Sequence, residues 1–192
     1  MGLKHSIFSI IGEVLQTILI SLAIFLFVYV FLIQPHRVKG ESMMPNFYDG
    51  ELLLTEKVTY RLYKPERGDV IVFRAPNSKN VDFIKRVIGL PGEAIRIENG
   101  SVFINGEKLR EPYETQLTGG TEEITLGTEE YFVLGDNRNA SSDSRSFGSI
   151  KKDSIRGRTW IVYWPLWKST ESAGVRLISK VYYAISNTFN DR

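Results

Sequence analysis

A mainly β domain of antiparallel strands, carried behind one apolar N-terminal helix, is the fold class this sequence predicts. Three observations predict it: an uncharged run from Val14 to Ile33, short alternating apolar stretches separated by Asn-Gly turns after residue 37, and no helical period between residues 50 and 165. Strands that keep returning through hairpins form antiparallel sheets, so a sandwich or barrel is expected rather than a parallel α/β sheet.

The apolar run reads VLQTILISLAIFLFVYVFLI, with Gln16, Thr17 and Ser21 its only distinctly polar side chains. At about 1.5 Å of rise per residue it spans roughly 30 Å, the thickness of a bilayer's hydrocarbon core. The apolar region of a secretory signal runs only about 7 to 15 residues before a small-residue cleavage site. Here Gln34, Pro35, His36 and Arg37 follow instead, so the expectation is an uncleaved anchor over 14–33, preceded by a tail over 1–13 and partnered by the lipid bilayer. Charge does not orient it, because Lys4 and the amino group before the span balance Arg37 and Lys39 after it.

Strands are expected at Gly68 to Phe73 (GDVIVF), Glu130 to Leu134 (EYFVL) and Arg158 to Trp164 (RTWIVYW). Between them, AIRIENGSVFINGEKL over 94–109 places Asn99-Gly100 and Asn105-Gly106 between alternating runs, as type I′ hairpin turns require. Together these define a β-rich domain over 34–168. After the polar break STESAG, the residues Val175, Ile178, Tyr182, Ile185 and Phe189 fall at spacings of three and four. That stripe predicts a short amphipathic helix in a tail over 169–192.

Composition removes several function classes. Lys and Arg number 24 against 22 Asp and Glu, for a net charge of +2, and no basic run is interleaved with aromatics, so no nucleic-acid partner is expected. The absence of cysteine excludes disulfides, thiolate metal sites and cysteine nucleophiles. His5 and His36 are the only histidines, which leaves few ways to build a histidine triad or a zinc site. The oxygen-rich stretch GDNRNASSDSRSFG lacks the spacing of a calcium loop. Neither a metal nor a cofactor is expected.

Three segments can carry chemistry. In Gly40-Glu41-Ser42-Met43-Met44-Pro45 the serine sits on constrained backbone where its hydroxyl and its own N–H can face one ligand. Taken alone, the ordinary reading is a polar turn, because a serine hydroxyl is a poor nucleophile without a base. In VDFIKRVI, strand alternation puts Lys85 on one face with Phe83 and Val87 while Arg86 points the other way. An apolar setting lowers a lysine pKa and can leave a neutral amine, although an edge-strand charge that discourages aggregation reads the same way. The third segment, Gly135 to Gly148, is either a solvated loop or a tight ordered one in which Asp143 and Arg145 pair as a brace.

In this order, behind an N-terminal span, the boxes GESMMP, RGDVIVF, DFIKRVIGLPGE and GDNRNASSDSRSFG resemble those of the type I signal peptidase family, membrane-anchored serine proteases with a Ser/Lys dyad. The resemblance covers positions from about 14 to 168 and implies a role for each matching residue. Ser42 aligns with the nucleophile, Lys85 with the general base, and Ser141 with a serine that orients the lysine amine. Asp143 and Arg145 match a bracing pair, and Met43 and Ile84 match residues lining the pocket for a small side chain before the cut. The implied substrates are preproteins whose signal peptides end in an A-x-A-like pattern, met on the extracytoplasmic side of the cell membrane. The Ser42 backbone N–H is the expected oxyanion donor; Gly40 stands where some members carry a serine as a second donor. Asn46 replaces the usual threonine, and residues 169–192 run past the usual end near Trp164-Pro165. A self-cleaving repressor would need a DNA-binding module where the span lies, and a catalytically silent, membrane-tethered domain that binds exported segments would lack Ser42 or Lys85.

Overall fold

The structure, a computed structural model, describes residues 2–76, 78, 81–111, 117–120, 123–167, 174–178 and 184–185. Helix α1 (Gly2–Phe31) contains an apolar stretch from Ile10 to Phe31 with mean hydropathy 2.5, none of it covered by protein, long and apolar enough to cross a bilayer. Residues 2–13, expected as a separate tail, continue this helix, and it stops at Phe31 rather than at Ile33. The early stop has a local cause: Pro35 disfavours helical backbone at Gln34, and Ile33 already begins strand β1 (Ile33–Arg37). Pro35 is tolerated there because β1 is the edge of its sheet. Lys57 secures the junction, its backbone N–H donating to Leu32 O at 2.9 Å and its ammonium to Val30 O at 3.3 Å, where a helix C-terminus favours a cation.

Strand β2 (Leu52–Glu56) pairs antiparallel with β1, Ile33 opposite Glu56 and Arg37 opposite Leu52, so residues 38–51 form the connecting loop. Then follow α2 (Thr59–Leu62), β3 (Val70–Arg74), β4 (Asp82–Gly89), β5 (Ala94–Glu98), β6 (Ser101–Ile104), β7 (Glu107–Arg110), β8 (Glu123–Thr125) and β9 (Glu130–Leu134). The chain continues through α3 (Ser144–Phe147), β10 (Ile150–Lys151), β11 (Ile155–Trp164), β12 (Arg176–Leu177) and β13 (Ala184–Ile185). One sheet has the order β1-β2-β11-β3-β4-β9-β10, with β12 also on β11, and the other β13-β7-β6-β5-β8. Every pairing is antiparallel, as expected.

Asn99, Gly100, Asn105 and Gly106 all have φ between 51° and 86°, the left-handed backbone that type I′ turns demand at both central positions. Strand β3 lies between β11 and β4, and Val70 to Phe73 are buried on both faces, which explains why it reads as a continuous apolar run. One apolar cluster joins Ile95, Ile97, Val102 and Ile104 to Ile88, Phe132 and Leu134, binding the second sheet to the first. A second cluster holds Met43 and Phe47 against Val70, Val72 and Val162; a third gathers Ile71, Phe73, Val87, Tyr131 and Val133.

Two expectations need correction. The region between 50 and 165 does contain helix, single α-helical turns at α2 and α3 and 3-10 turns at Arg138–Ala140 and Lys152–Ser154, all too short for a hydrophobic period to reveal. In the tail, Arg176–Leu177 and Ala184–Ile185 are extended where an amphipathic helix was expected. Open strand edges on β11 and β7 supply backbone partners that periodicity cannot anticipate. Tyr182 and Phe189, which complete the expected stripe, lie outside the described residues.

Candidate active site

The loop over 38–51 is closed at its base by Val38 N–H to Glu51 O (2.8 Å) and Gly50 N–H to Val38 O (2.9 Å). Gly40 adopts φ +80°, a conformation that a side chain would strain, and its N–H donates to Asp49 Oδ1 at 2.7 Å. Met43 N–H is followed by a tight turn in which Asn46 and Phe47 both donate to Met43 O, at 3.0 and 2.9 Å. Met43 and Phe47 are enclosed in the core and peg this turn down, while Ser42 stays half-buried above them. Asn137 N–H donates to Ser42 O at 3.0 Å. The Ser42 N–H itself donates to no acceptor among the described residues.

Lys85 is opposite Ile71 in the β3–β4 register, on the face that carries Phe73, Phe83 and Val87, as alternation predicts. Only 4% of it is exposed, and its Nζ lies 5.5 Å from the centroid of the Phe83 ring. Burial pushes the amine down from 10.5 to about 8, against the opposing pull of Asp143 and Asp136. Lys85 Nζ and Ser42 Oγ are 2.6 Å apart. The ammonium can donate to the hydroxyl, and the neutral amine can take the hydroxyl's proton.

The loop after β9 braces this contact. Asp143, fully buried, accepts from Gly135 N–H at 3.0 Å and from Arg145 Nε and Nη2 at 2.8 and 2.9 Å. Burial alone would raise its carboxyl; the Arg145 bond, the Gly135 N–H, Ser141 and the Arg145 charge together hold it below the ordinary carboxylate value. Ser141 Oγ is buried beside Gly135 and has no hydrogen-bond partner of good geometry among the described residues. Ile84 is half-buried and packs on the Met43 cluster.

Sequence reasoning alone does not find two further buried ion pairs. Arg86 Nε and Nη2 donate to Asp136 Oδ1 and Oδ2 at 2.8 and 2.5 Å, and Asn46 Nδ2 joins the same carboxylate at 2.9 Å. Arg138 pairs with Glu111 and also donates to Thr118 Oγ1 and Gly135 O. The signal present is only that Asp136 and Arg138 crowd the loop that holds Asp143; no local pattern names partners so far away in sequence.

Gly135 has no room for a side chain. A methyl there would collide with Ser141 Oγ and come within 2.5 Å of the backbone Ser42 O. Overpacking of this kind costs roughly 1–3 kcal/mol, and here the atom that must yield is the carbonyl of Ser42. Gly135→Ala is therefore expected to lower the thermal midpoint and to cut hydrolysis at least about 100-fold, since misplacement of about 1 Å has that effect. A fully active Gly135→Ala protein would show that the contact is not as tight as described.

A serine hydroxyl against a water-excluded lysine amine, on an antiparallel β scaffold behind an apolar helix, defines the Ser/Lys class of serine hydrolase. Within that class the chain belongs to the signal peptidase family, peptidase S26, whose family model matches residues 11–164. It is 35% identical over 175 residues to signal peptidase IB of Staphylococcus aureus (strain COL), covering 80% of this chain and 91% of that protein. It is 34% identical over 174 residues to signal peptidase I of Bacillus licheniformis, covering 84% and 91% respectively. A crystal structure of signal peptidase I from Enterococcus faecalis V583 shares 34% identity, covers 50% of this chain and 97% of that one, and has a TM-score of 0.45.

Proposed function

We propose that this protein is a membrane-anchored endopeptidase that removes N-terminal signal peptides from preproteins after small residues, with Ser42 as nucleophile and Lys85 as general base. The observation that carries this is the 2.6 Å contact between Lys85 Nζ and Ser42 Oγ, with the amine held near pKa 8 by burial. Neutral Lys85 takes the Ser42 proton as Oγ bonds to the scissile carbonyl carbon. The tetrahedral intermediate collapses to an acyl-enzyme, releasing the mature chain's amine after it regains a proton from Lys85; water, deprotonated by the same amine, then hydrolyses the ester. The Ser42 N–H stabilises the oxyanion. Ser141 Oγ, which makes no bond to the amine in this structure, would have to turn toward Lys85 to orient it; Asp143 and Arg145 keep that loop in place, and Ile84, backed by the enclosed Met43, shapes the pocket for a small side chain.

The sheet offers a place for an extended substrate. Strand β4 pairs with β3 along 82–86, but with β9 only from Arg86 onward, so among the described residues its edge from Asp82 to Lys85 has no strand partner. A peptide added along this edge would bring its carbonyls past Lys85 by main-chain pairing, with side-chain pockets reading alternate positions. Beside it opens a cleft of about 370 Å³ lined by Ala75, Val81, Phe83, Ser142, Ser146 and Phe147.

The stretch over 10–31 serves as the anchor, residues 34–168 as the peptidase domain, and that domain faces the extracytoplasmic side. Bilayer confinement of both partners raises their effective concentration. The purified protein in detergent is expected to cut a preprotein ending in Ala-x-Ala at that site and to fail when the last alanine is replaced by tryptophan. Equal cutting of both would remove the small-residue specificity. External protease on sealed cells is expected to digest the region after residue 37; protection until lysis would reverse the orientation.

A further inference from the structure

The family match ends at residue 164, yet the chain beyond it returns to the site. Strand β12 sits on the edge of β11 that β3 occupies further down: β3 pairs with Ile155, Gly157 and Arg158, and β12 with Ile161 and Val162. Ile178 N–H donates to Trp160 O at 2.9 Å, and its side chain packs on the cluster containing Met43 and Phe47. From this strand Arg176 reaches into the 38–51 loop. Its Nη1 and Nη2 donate to Glu51 Oε1 and Oε2 at 2.8 and 2.7 Å, and Nη2 also to Asn46 O at 2.6 Å. The guanidinium lies 5.3 Å from the centroid of the Phe47 ring. Glu51 is 1% exposed, so this is a largely desolvated, bidentate pair, the geometry in which arginine cannot be replaced by a point charge.

Both attachment points matter to Ser42. Glu51 closes the base of the loop through its carbonyl, and Asn46 ends the turn that begins at Met43. Asn46 is held from its other side too, because its amide donates to Asp136, which Arg86 clamps from the position next to Lys85. Asn46 is thus fixed between the tail on one side and the strand that bears the amine on the other. We propose that Arg176 is a positioning residue for peptide cleavage: it keeps Ser42 Oγ within reach of Lys85 by clamping Asn46 and Glu51, and the segment after residue 164 is therefore part of the catalytic apparatus. The proposal rests on the Ser/Lys function above, and misplacement of about 1 Å is enough to cost roughly 100-fold in rate.

The test uses the full chain in detergent, with Arg176→Met, Arg176→Lys and the double variant Glu51→Gln/Arg176→Met, each assayed below its thermal midpoint. Arg176→Met is expected to lower kcat for a preprotein at least tenfold with KM within twofold, because the β4 edge is untouched; Arg176→Lys is expected to recover only part. Amide hydrogen exchange at Asn46 and Phe47 is expected to quicken at least tenfold in Arg176→Met while β4 amides stay protected. The double variant, which removes the Glu51 charge together with its Arg176 partner, is expected to regain thermal stability but not kcat. Recovery of kcat together with stability would reduce Arg176 to a structural role and overturn the proposal, as would an Arg176→Met protein with unchanged kcat and loop exchange. If the wild-type chain cuts no preprotein, the peptidase function falls, and the exchange result alone then decides whether Arg176 holds the loop.

Discussion

Ser42→Ala is expected to abolish preprotein cleavage, by about 10⁵-fold or more, while leaving the thermal midpoint within a few degrees of wild type. The size follows from what a lost nucleophile costs in serine proteases. The stability expectation follows from the loop itself. Residues 38–51 are held by backbone bonds at Val38, Gly50 and Glu51 and by the buried side chains of Met43 and Phe47, none of which involves Ser42 Oγ. The hydroxyl's partner is Lys85, so its removal takes away the proposed nucleophile without touching the bonds that hold the loop. Assay of a preprotein by gel shift, beside a thermal melt, tests both halves, and residual cutting near the wild-type rate would take the nucleophile away from Ser42.

The second large effect concerns Lys85, and it has opposite signs for activity and stability. Lys85→Arg keeps the charge but offers no neutral base at working pH, and Lys85→Met offers none at all, so both are expected to be inactive. With Lys85 as the proposed base, the competent form is the neutral amine, so kcat/KM is expected to climb with pH through about 8 and then level off. The same depressed pKa acts against folding. Below about pH 8 the amine is charged in both states, and the folded chain bears the full cost of burying it. Between about 8 and 10.5 the folded chain has released the proton and the unfolded chain still holds it, so stability rises with pH across that window. Lys85→Met is therefore expected to be more stable than wild type below pH 8, by on the order of 3 kcal/mol, with the gain fading toward pH 10.5. Thermal melts from pH 6 to 10 measure this; a Lys85→Met protein less stable at pH 7 would mean the amine is better satisfied than its surroundings indicate.

Much of the fold is legible because it is local. The Asn-Gly pairs at 99–100 and 105–106, set between alternating runs, favour the left-handed backbone found there, and GDVIVF is legible as a strand, although its burial on both faces is seen only in the packed chain. Strand alternation alone suffices to set Lys85 beside Phe83 and Val87. Strands β1 and β2 escape notice for an equally physical reason: Pro35 and the Leu52–Leu54 run carry no period-two signal, and their pairing is made by a loop closing on itself. The tail misleads because its spacing of three and four fits a helix, whereas vacant edges on β11 and β7 offer hydrogen bonds that outweigh that pattern at 176–177 and 184–185.

Residue order alone determined the apolar stretch long enough to cross a bilayer and the antiparallel class, since both are written in composition or alternation over a few consecutive positions; Ser42 and Lys85 came together as a candidate pair only through the resemblance of their boxes to a known family, because each taken alone also reads as an ordinary turn or strand residue. The 2.6 Å contact between that pair, the burial that holds the amine near pKa 8, and the pairings Arg86–Asp136, Arg138–Glu111 and Arg176–Glu51 came only from the packed chain. Desolvation and ion pairing depend on which distant segments exclude water from a group, and that is a property of three-dimensional neighbours.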